Sequence, residues 1–243
     1  AFVELMNQRA KELGAVNTHF VTPNGLHDQN HYTTAYDLAL IACRALQNET
    51  FRAIVKTEYY QASTGEIQRT FKNKNKILWQ YDGGNGIKTG FTKAAGKCLV
   101  FSAQRDGMQL VGVVLNCPDM FPDAEKILDY GFENYSMCKI ASAGDVIARV
   151  NIAAGQTKNL LALKLKEDII IPVKKGTNVE FQSNVTLVQE IVTAPVKQGD
   201  TLGSVEIYEN GKLLKSASLL ASENVQSAGW GYYLHRLFQR WSS

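Results

Sequence analysis

The chain has 243 residues, a net charge of +3, and 45% hydrophobic and 20% charged residues. That length allows one large or two medium domains, with ample apolar content for packed cores. The weak charge, with no basic cluster interleaved with aromatics, speaks against a nucleic-acid partner, and no run of about 18 apolar residues is present to span a bilayer.

The sequence opens on Ala1-Phe2-Val3 without an initiator Met, and Phe2, Met6, Arg9/Ala10 and Leu13 already keep helical spacing. This predicts a start inside or at the beginning of a helix, as in a truncated or processed product. That helix is expected to end at Gly14, a residue suited to the left-handed position after a helix. A turn-rich stretch follows (Thr22-Pro23-Asn24-Gly25, then His27-Asp28-Gln29-Asn30). Thr34-Ala35-Tyr36-Asp37 resembles a capping box, with Leu38, Ile41, Ala42, Ala45 and Leu46 on one face of the helix it opens. Strands are expected over 57–62 and 67–71. A hairpin joins 97–103 to 108–115 through Asp106-Gly107, and a helix runs from Asp123 to Tyr135.

From 138 to 221 the grammar changes to short strands with turns every 8–12 residues, including an Asn210-Gly211 hairpin signal. This half predicts a small all-β sandwich serving as spacer or interaction module. In 226–243, Trp230, Tyr233, Leu234, Leu237, Phe238 and Trp241 form one helical stripe, with His235, Arg236 and Arg240 off it. The pattern suits a helix lying on an anionic membrane surface, or one docked on its own protein. Cys43, Cys98, Cys117 and Cys138 form no Cys-x-x-Cys pair and His residues number only four, so no metal site is expected. The cysteines read as small buried hydrophobes, with a disulfide left open and no pairing readable from sequence.

The chemistry concentrates in Gly86-Ile87-Lys88-Thr89-Gly90-Phe91-Thr92, at strand-forming spacing after the turn cluster Asp82-Gly83-Gly84-Asn85. A ligand ending in a free carboxylate needs a fixed cation and a hydroxyl donor, which Lys88 and Thr89 supply. Gly90 lacks a Cβ, so an extended peptide can approach and pair with the strand. The Phe91 N–H is then placed to meet a developing oxyanion.

Lys-Thr-Gly is also one of three elements of the penicillin-recognising serine enzymes. The ordered string around it runs from Phe2–Asn7 and Ala10–Gly14 through Asn17–Phe20, Asn24–Leu26 and Tyr32–Ala39 to Asn73–Trp79 and Asp82–Thr92. It closely resembles the serine-type D-alanyl-D-alanine carboxypeptidases, the low-molecular-mass penicillin-binding proteins of peptidase family S11. The resemblance covers nearly all of 1–136 and continues more loosely through 138–221, similar to that family's C-terminal β-domain. The terminal aromatic stripe looks like its membrane anchor.

The resemblance implies an α+β fold: part of a penicillin-binding-protein/β-lactamase-like catalytic domain (1–136), an all-β sandwich (138–221) and an amphipathic membrane-surface helix (226–243). It implies removal of the terminal D-Ala from peptidoglycan pentapeptides through a seryl acyl-enzyme, sensitivity to β-lactams, no cofactor, and a place on the outer face of the bacterial cytoplasmic membrane. Lys88, Thr89 and Gly90 match the catalytic motif, Lys88 and Thr89 the carboxylate holders, and Phe91 the oxyanion-hole amide. Lys74 matches a basic residue at the rim of the site; otherwise it is a solvated loop lysine.

The family's Ser-x-x-Lys and Ser-x-Asn elements precede the helix that opens this chain, and no Ser occurs here before Ser63. Acyl transfer needs an activated hydroxyl beside a base. The isolated chain is therefore expected to be inactive, with a separate N-terminal segment as a possible partner. Ser136-Met137-Cys138-Lys139 and Ser222-Glu223-Asn224 match the two patterns in the wrong order and read as decoys. The alternative function is a non-catalytic cell-wall or membrane-binding remnant.

Overall fold

The computed structural model describes residues 1–155, 159–229 and 232. It divides into two units, Ala1–Tyr135 and Ser136–Ser243.

The first unit opens with α1 (Phe2–Glu12), closed by Leu13 and by Gly14 at φ 82°. In α2 (Ala35–Ala45) the Thr34 hydroxyl accepts from the Asp37 N–H at 3.1 Å, as a capping residue should. The other half of the expected capping box is absent. The Asp37 carboxylate, 1% exposed, instead accepts from Asn17 N and Thr18 Oγ1, each at 2.7 Å, and ties the segment after α1 to α2. Next come α3 (Glu49–Lys56), capped by Asn48, then β1 (Tyr59–Thr64), β2 (Ile67–Lys72) and the short α4 (Ile77–Gln80). β3 (Gly84–Thr92), β4 (Gly96–Arg105), β5 (Met108–Val114) and α5 (Met120–Asn134) complete the unit.

β3, β4 and β5 form an antiparallel sheet in that order, so β3 and β5 are its edges. Asp106 and Gly107 at φ 48° and 79° make the tight turn between β4 and β5 that the sequence predicts. Alternation along β4 builds two cores. Leu99, Phe101 and Ala103, all fully buried, pack with Ala124 and Leu128 of α5. On the other face Val100 joins Val111, Ala42 and Leu46 of α2, and Phe51 and Val55 of α3. The sheet is thus covered by α5 on one side and by α2 and α3 on the other, an α+β layering.

The second unit comprises β6 (Tyr135–Ala141), β7 (Val146–Ala153), β8 (Leu160–Leu165), β9 (Ile169–Lys174), β10 (Gln182–Leu187), β11 (Ile191–Thr193), β12 (Thr201–Glu209) and β13 (Lys212–Ala221). Six strands pair in the order β10-β12-β13-β8-β7-β11, and β6 pairs with β9. Ile169 and Ile171 of β9 pack with Val150, Leu161, Leu163, Val205 and Leu219 of the larger sheet, giving the expected sandwich core. Asn210 and Gly211 turn the β12–β13 hairpin at φ 50° and 77°.

Three expectations change. The cysteines are free thiols but not core residues: Cys43 is exposed and the other three are half-buried. The start of the 226–243 helix is not helical, because Ser227 forms a β-bridge with Gly155; the aromatic stripe from Trp230 onward, Tyr232 apart, lies outside the described residues. The helix expected over 123–135 begins at Met120 and gives way to strand at Tyr135. No described helix is long and apolar enough to cross a membrane.

Candidate active site

Lys88, Thr89, Gly90 and Phe91 lie consecutively on edge strand β3, opposite Val100, Leu99, Cys98 and Lys97 of β4. Lys88, Gly90 and Phe91 are exposed and Thr89 is half-buried. The Lys88 ammonium donates to the Thr89 carbonyl, which places that carbonyl on the open side of the strand. Backbone groups two residues apart point the same way, so the Phe91 N–H shares that open edge. The edge therefore presents a cation, a glycine without side-chain bulk and an outward amide, while the Thr89 side chain, next to Lys88, leaves the opposite face of the strand. An extended chain ending in a carboxylate can pair there as an added strand.

Strand β3 is fixed from behind. Gly84 sits so close to the turn before it that a Cβ would come 1.9 Å from the Ile77 carbonyl oxygen. A Cβ on Gly86 (φ 146°) would meet Val55 Cγ2 of α3 at 3.0 Å. Between them Asn85 accepts from the fully buried Ser102 hydroxyl at 2.6 Å and donates to Gln109 Oε1 at 2.9 Å. Gln109 in turn donates to the Ala103 carbonyl at 3.0 Å. This network joins all three strands by side-chain amides, and no local sequence signal announces it.

The preceding turn is held by an aromatic–cation cluster. The Arg105 guanidinium lies over the Tyr81 and Phe132 rings at 4.4 and 4.8 Å, and its Nε donates to the Asp82 carbonyl at 3.0 Å. Tyr81 donates its hydroxyl to Asp129 Oδ1 at 2.8 Å. Burial first, and then this bond to a carboxylate, push the Tyr81 hydroxyl above its ordinary pKa. A phenol raised on folding favours the fold while protonated, and that contribution is lost as pH climbs past about 10, where the unfolded phenol ionises. Tyr81→Phe should flatten the alkaline limb of the stability-against-pH curve, measured by urea unfolding between pH 8 and pH 11.

Lys74 is exposed in the segment between β2 and α4, separate in sequence from the β3 edge. Neither decoy resembles a nucleophile–base pair. Ser136 and Lys139 lie on strand β6, where a three-residue spacing points side chains to opposite faces. Lys139 is also bound to Asp168 at 2.6 Å, and its ammonium holds that carboxyl below the usual carboxylate range. Asn224 of the second decoy accepts from the Gln198 N–H at 2.8 Å. Among the described residues no group of three or more His, Cys, Asp or Glu side chains is arranged to hold a metal.

Comparison with known proteins bears on the family and the fold. The D-alanyl-D-alanine carboxypeptidase family, peptidase S11, matches residues 1–119, and the C-terminal domain of penicillin-binding protein 5 matches 135–227. DacF, a D-alanyl-D-alanine carboxypeptidase of Bacillus subtilis (strain 168), is 30% identical over 99% of this chain and 63% of its own length. Crystal structures of penicillin-binding protein 5 from Haemophilus influenzae superpose with a TM-score of 0.64 at 31% identity, covering 93% of this chain and 66% of that one. The fold alone is shared with PBP3 of Streptococcus pneumoniae, at a TM-score of 0.76 and 20% identity over 93% of this chain and 69% of that one. The chain spans 63% of DacF and 58% of the Haemophilus influenzae DacA. Its two matched regions, in their family order and on the matching fold, place it in the peptidase S11 family of serine D-alanyl-D-alanine carboxypeptidases.

Proposed function

We propose that this chain supplies the carboxylate-binding and oxyanion-binding part of a serine D-Ala-D-Ala carboxypeptidase acting on peptidoglycan pentapeptides. The observation that carries the reading is the open edge of β3, with the Lys88 ammonium on the Thr89 carbonyl and the Phe91 amide two residues along the same edge. In this reading Lys88 and Thr89 hold the terminal carboxylate, the strand edge pairs with the peptide, and the Phe91 N–H stabilises charge on the carbonyl oxygen under attack. Gly90 keeps the approach clear, and Lys74 adds positive charge at the rim.

The attacking hydroxyl and its base come from a segment beyond these 243 residues. Such a segment has a surface to meet: an apolar groove of about 330 Å³ runs along α1 between Phe2, Leu5, Met6 and Leu13 and the side chains of Phe20 and Ile41. Phe2 and Leu5 are 65% and 61% exposed there. The intact enzyme works outside the cytoplasmic membrane, where peptidoglycan lies, with the 226–243 stripe as its contact to the membrane surface.

The test is titration of the chain with a diacetyl-Lys-D-Ala-D-Ala peptide, followed by amide resonances of β3. Lys88→Ala should weaken binding about 10- to 100-fold, the value of about 1.5–3 kcal/mol for a charge-assisted hydrogen bond. Equal binding by the variant would remove the clamp. A labelled β-lactam should leave no adduct that survives denaturation of this chain; a persistent adduct would mean the nucleophile is present after all. Wall or vesicle binding that ignores Lys88 would favour the non-catalytic alternative.

A further inference from the structure

Helix α3 has two working sides. Val55 faces β3, where it touches Gly86. Ala53 and Thr57, two residues away in either direction, lie about 200° round the helix and so face away from β3. Ala53 and Thr57, with Ile54 on the flank about 100° from Val55, form with Tyr60, Phe71 and Asn73 an open groove of about 420 Å³. That volume lies within the range of roughly 300–1,000 Å³ typical of small-ligand sites.

The walls are aromatic, exposed and held in place. Tyr60 and Phe71 are directly opposed across the β1–β2 hairpin and so share a face; they are 63% and 54% exposed, and Ile54 is 66% exposed. A two-stranded hairpin is marginal on its own. This one is anchored at its base, beside the groove. Asn73 donates its side-chain amide to the Thr57 carbonyl at 3.1 Å and its backbone N–H to the Glu58 carbonyl at 2.8 Å.

The charges select the occupant. Lys72 pairs with Tyr59, on the hairpin face opposite Tyr60 and Phe71. Lys72 also lines the groove, but its ammonium lies over the Trp79 ring at 4.3 Å and the Tyr59 ring at 5.5 Å, on the other face of the hairpin. Glu58, exposed at the groove, adds a negative charge that disfavours an anion there. What remains are ring faces, which suit the C–H face of a saturated ring, with the Thr57 hydroxyl, which donates to the Ala53 carbonyl at 2.9 Å, left as an acceptor and the Asn73 amide, bound to the Thr57 carbonyl and the Asn75 N–H, left with one N–H. That is the complement of a neutral polyhydroxylated ring rather than of an acidic peptide.

The groove and the β3 edge lie on the two sides of α3, within the span of a short peptide. Crossing a helix takes about 10 Å, and five extended residues reach about 17 Å. We propose that the groove between α3 and the β1–β2 hairpin binds a sugar ring of the glycan chain whose attached peptide is held at β3. The identity of the ligand rests on the carboxypeptidase reading; binding of a sugar does not depend on the clamp.

The probe is the β-1,4-linked N-acetylglucosamine tetramer, titrated into the chain and followed by amide resonances. Saturable shifts confined to residues 53–60 and 71–73 are expected. Tyr60→Ala and Phe71→Ala should each weaken binding about tenfold, while Phe71→Tyr retains it. Both positions are exposed, so spectral dispersion should stay native. Lys88→Ala should lose the peptide and keep the sugar, which separates failure of the clamp from failure of the groove. No saturable shift at millimolar tetramer, shifts elsewhere, or equal binding by both alanine variants would overturn the proposal. So would a concentration-dependent dimer abolished by Phe71→Ala, because a second copy would then be the occupant.

Discussion

Phe101→Ala should cost the first unit about 3–5 kcal/mol, a third or more of the stability of a domain of this size. The ring is fully buried between the β-sheet and α5, and it covers Gly112 so closely that a Cβ there would come 2.2 Å from Phe101 Cζ. Removing the ring leaves a cavity that backbone on both sides prevents from closing. Gly112→Ala alone should also destabilise, by about 1–3 kcal/mol, because the methyl overlaps the ring. The double variant should be more stable than the sum of the two losses, since the new methyl then occupies vacated space. Urea unfolding monitored by amide exchange on β4 and β5 reads all three. Strict additivity would mean that the ring does not rest on Gly112.

Gly84→Ala should be the most damaging change at the entrance to the clamp strand. The added methyl would meet the Ile77 carbonyl oxygen at 1.9 Å and its carbon at 2.8 Å, and neither atom belongs to a side chain that can swing aside. Either α4 moves or β3 leaves its place. A loss of about 3 kcal/mol or more is expected, at the upper end for overpacking. Affinity for the D-Ala-D-Ala peptide should fall with it, although no ligand-facing group has been altered. Gly107→Ala is the control: its φ of 79° favours glycine, but the space around it is open, so the cost should be about 1 kcal/mol with peptide affinity unchanged. If Gly84→Ala behaves like Gly107→Ala, α4 does not support the clamp strand.

Sequence alone carries the parts of this architecture that local chemistry specifies. Asp106-Gly107 and Asn210-Gly211 mark their hairpins because each needs two positive φ values in succession. Thr34 marks the start of α2 because its hydroxyl serves the helix directly. Asp37 shows the limit: its position three residues after Thr34 suggests a local role, yet its carboxylate bonds to Asn17 and Thr18, about twenty residues away. Helix α3 escapes a periodicity reading because it is only eight residues long, although Phe51, Ile54 and Val55 fall on one side of it. Strand β6 escapes because it follows α5 directly, with no glycine or proline between them to mark a new element. For the site, the Lys88–Phe91 string and its strand are legible. The groove behind α3 is not, since it exists only once Tyr60 and Phe71 are brought opposite each other.

The amide network behind β3 has a consequence for ligand choice. With Asn85 bound to both Ser102 and Gln109, the strand cannot slip by one residue without stranding polar groups in the interior. For a ligand bound as proposed, the backbone of the receptor strand is therefore preorganised, and the entropy lost on binding falls on the ligand and on exposed side chains such as Lys88. Fused-ring carboxylates, already frozen before they arrive, should profit from such a rigid template more than a floppy peptide of equal contact area.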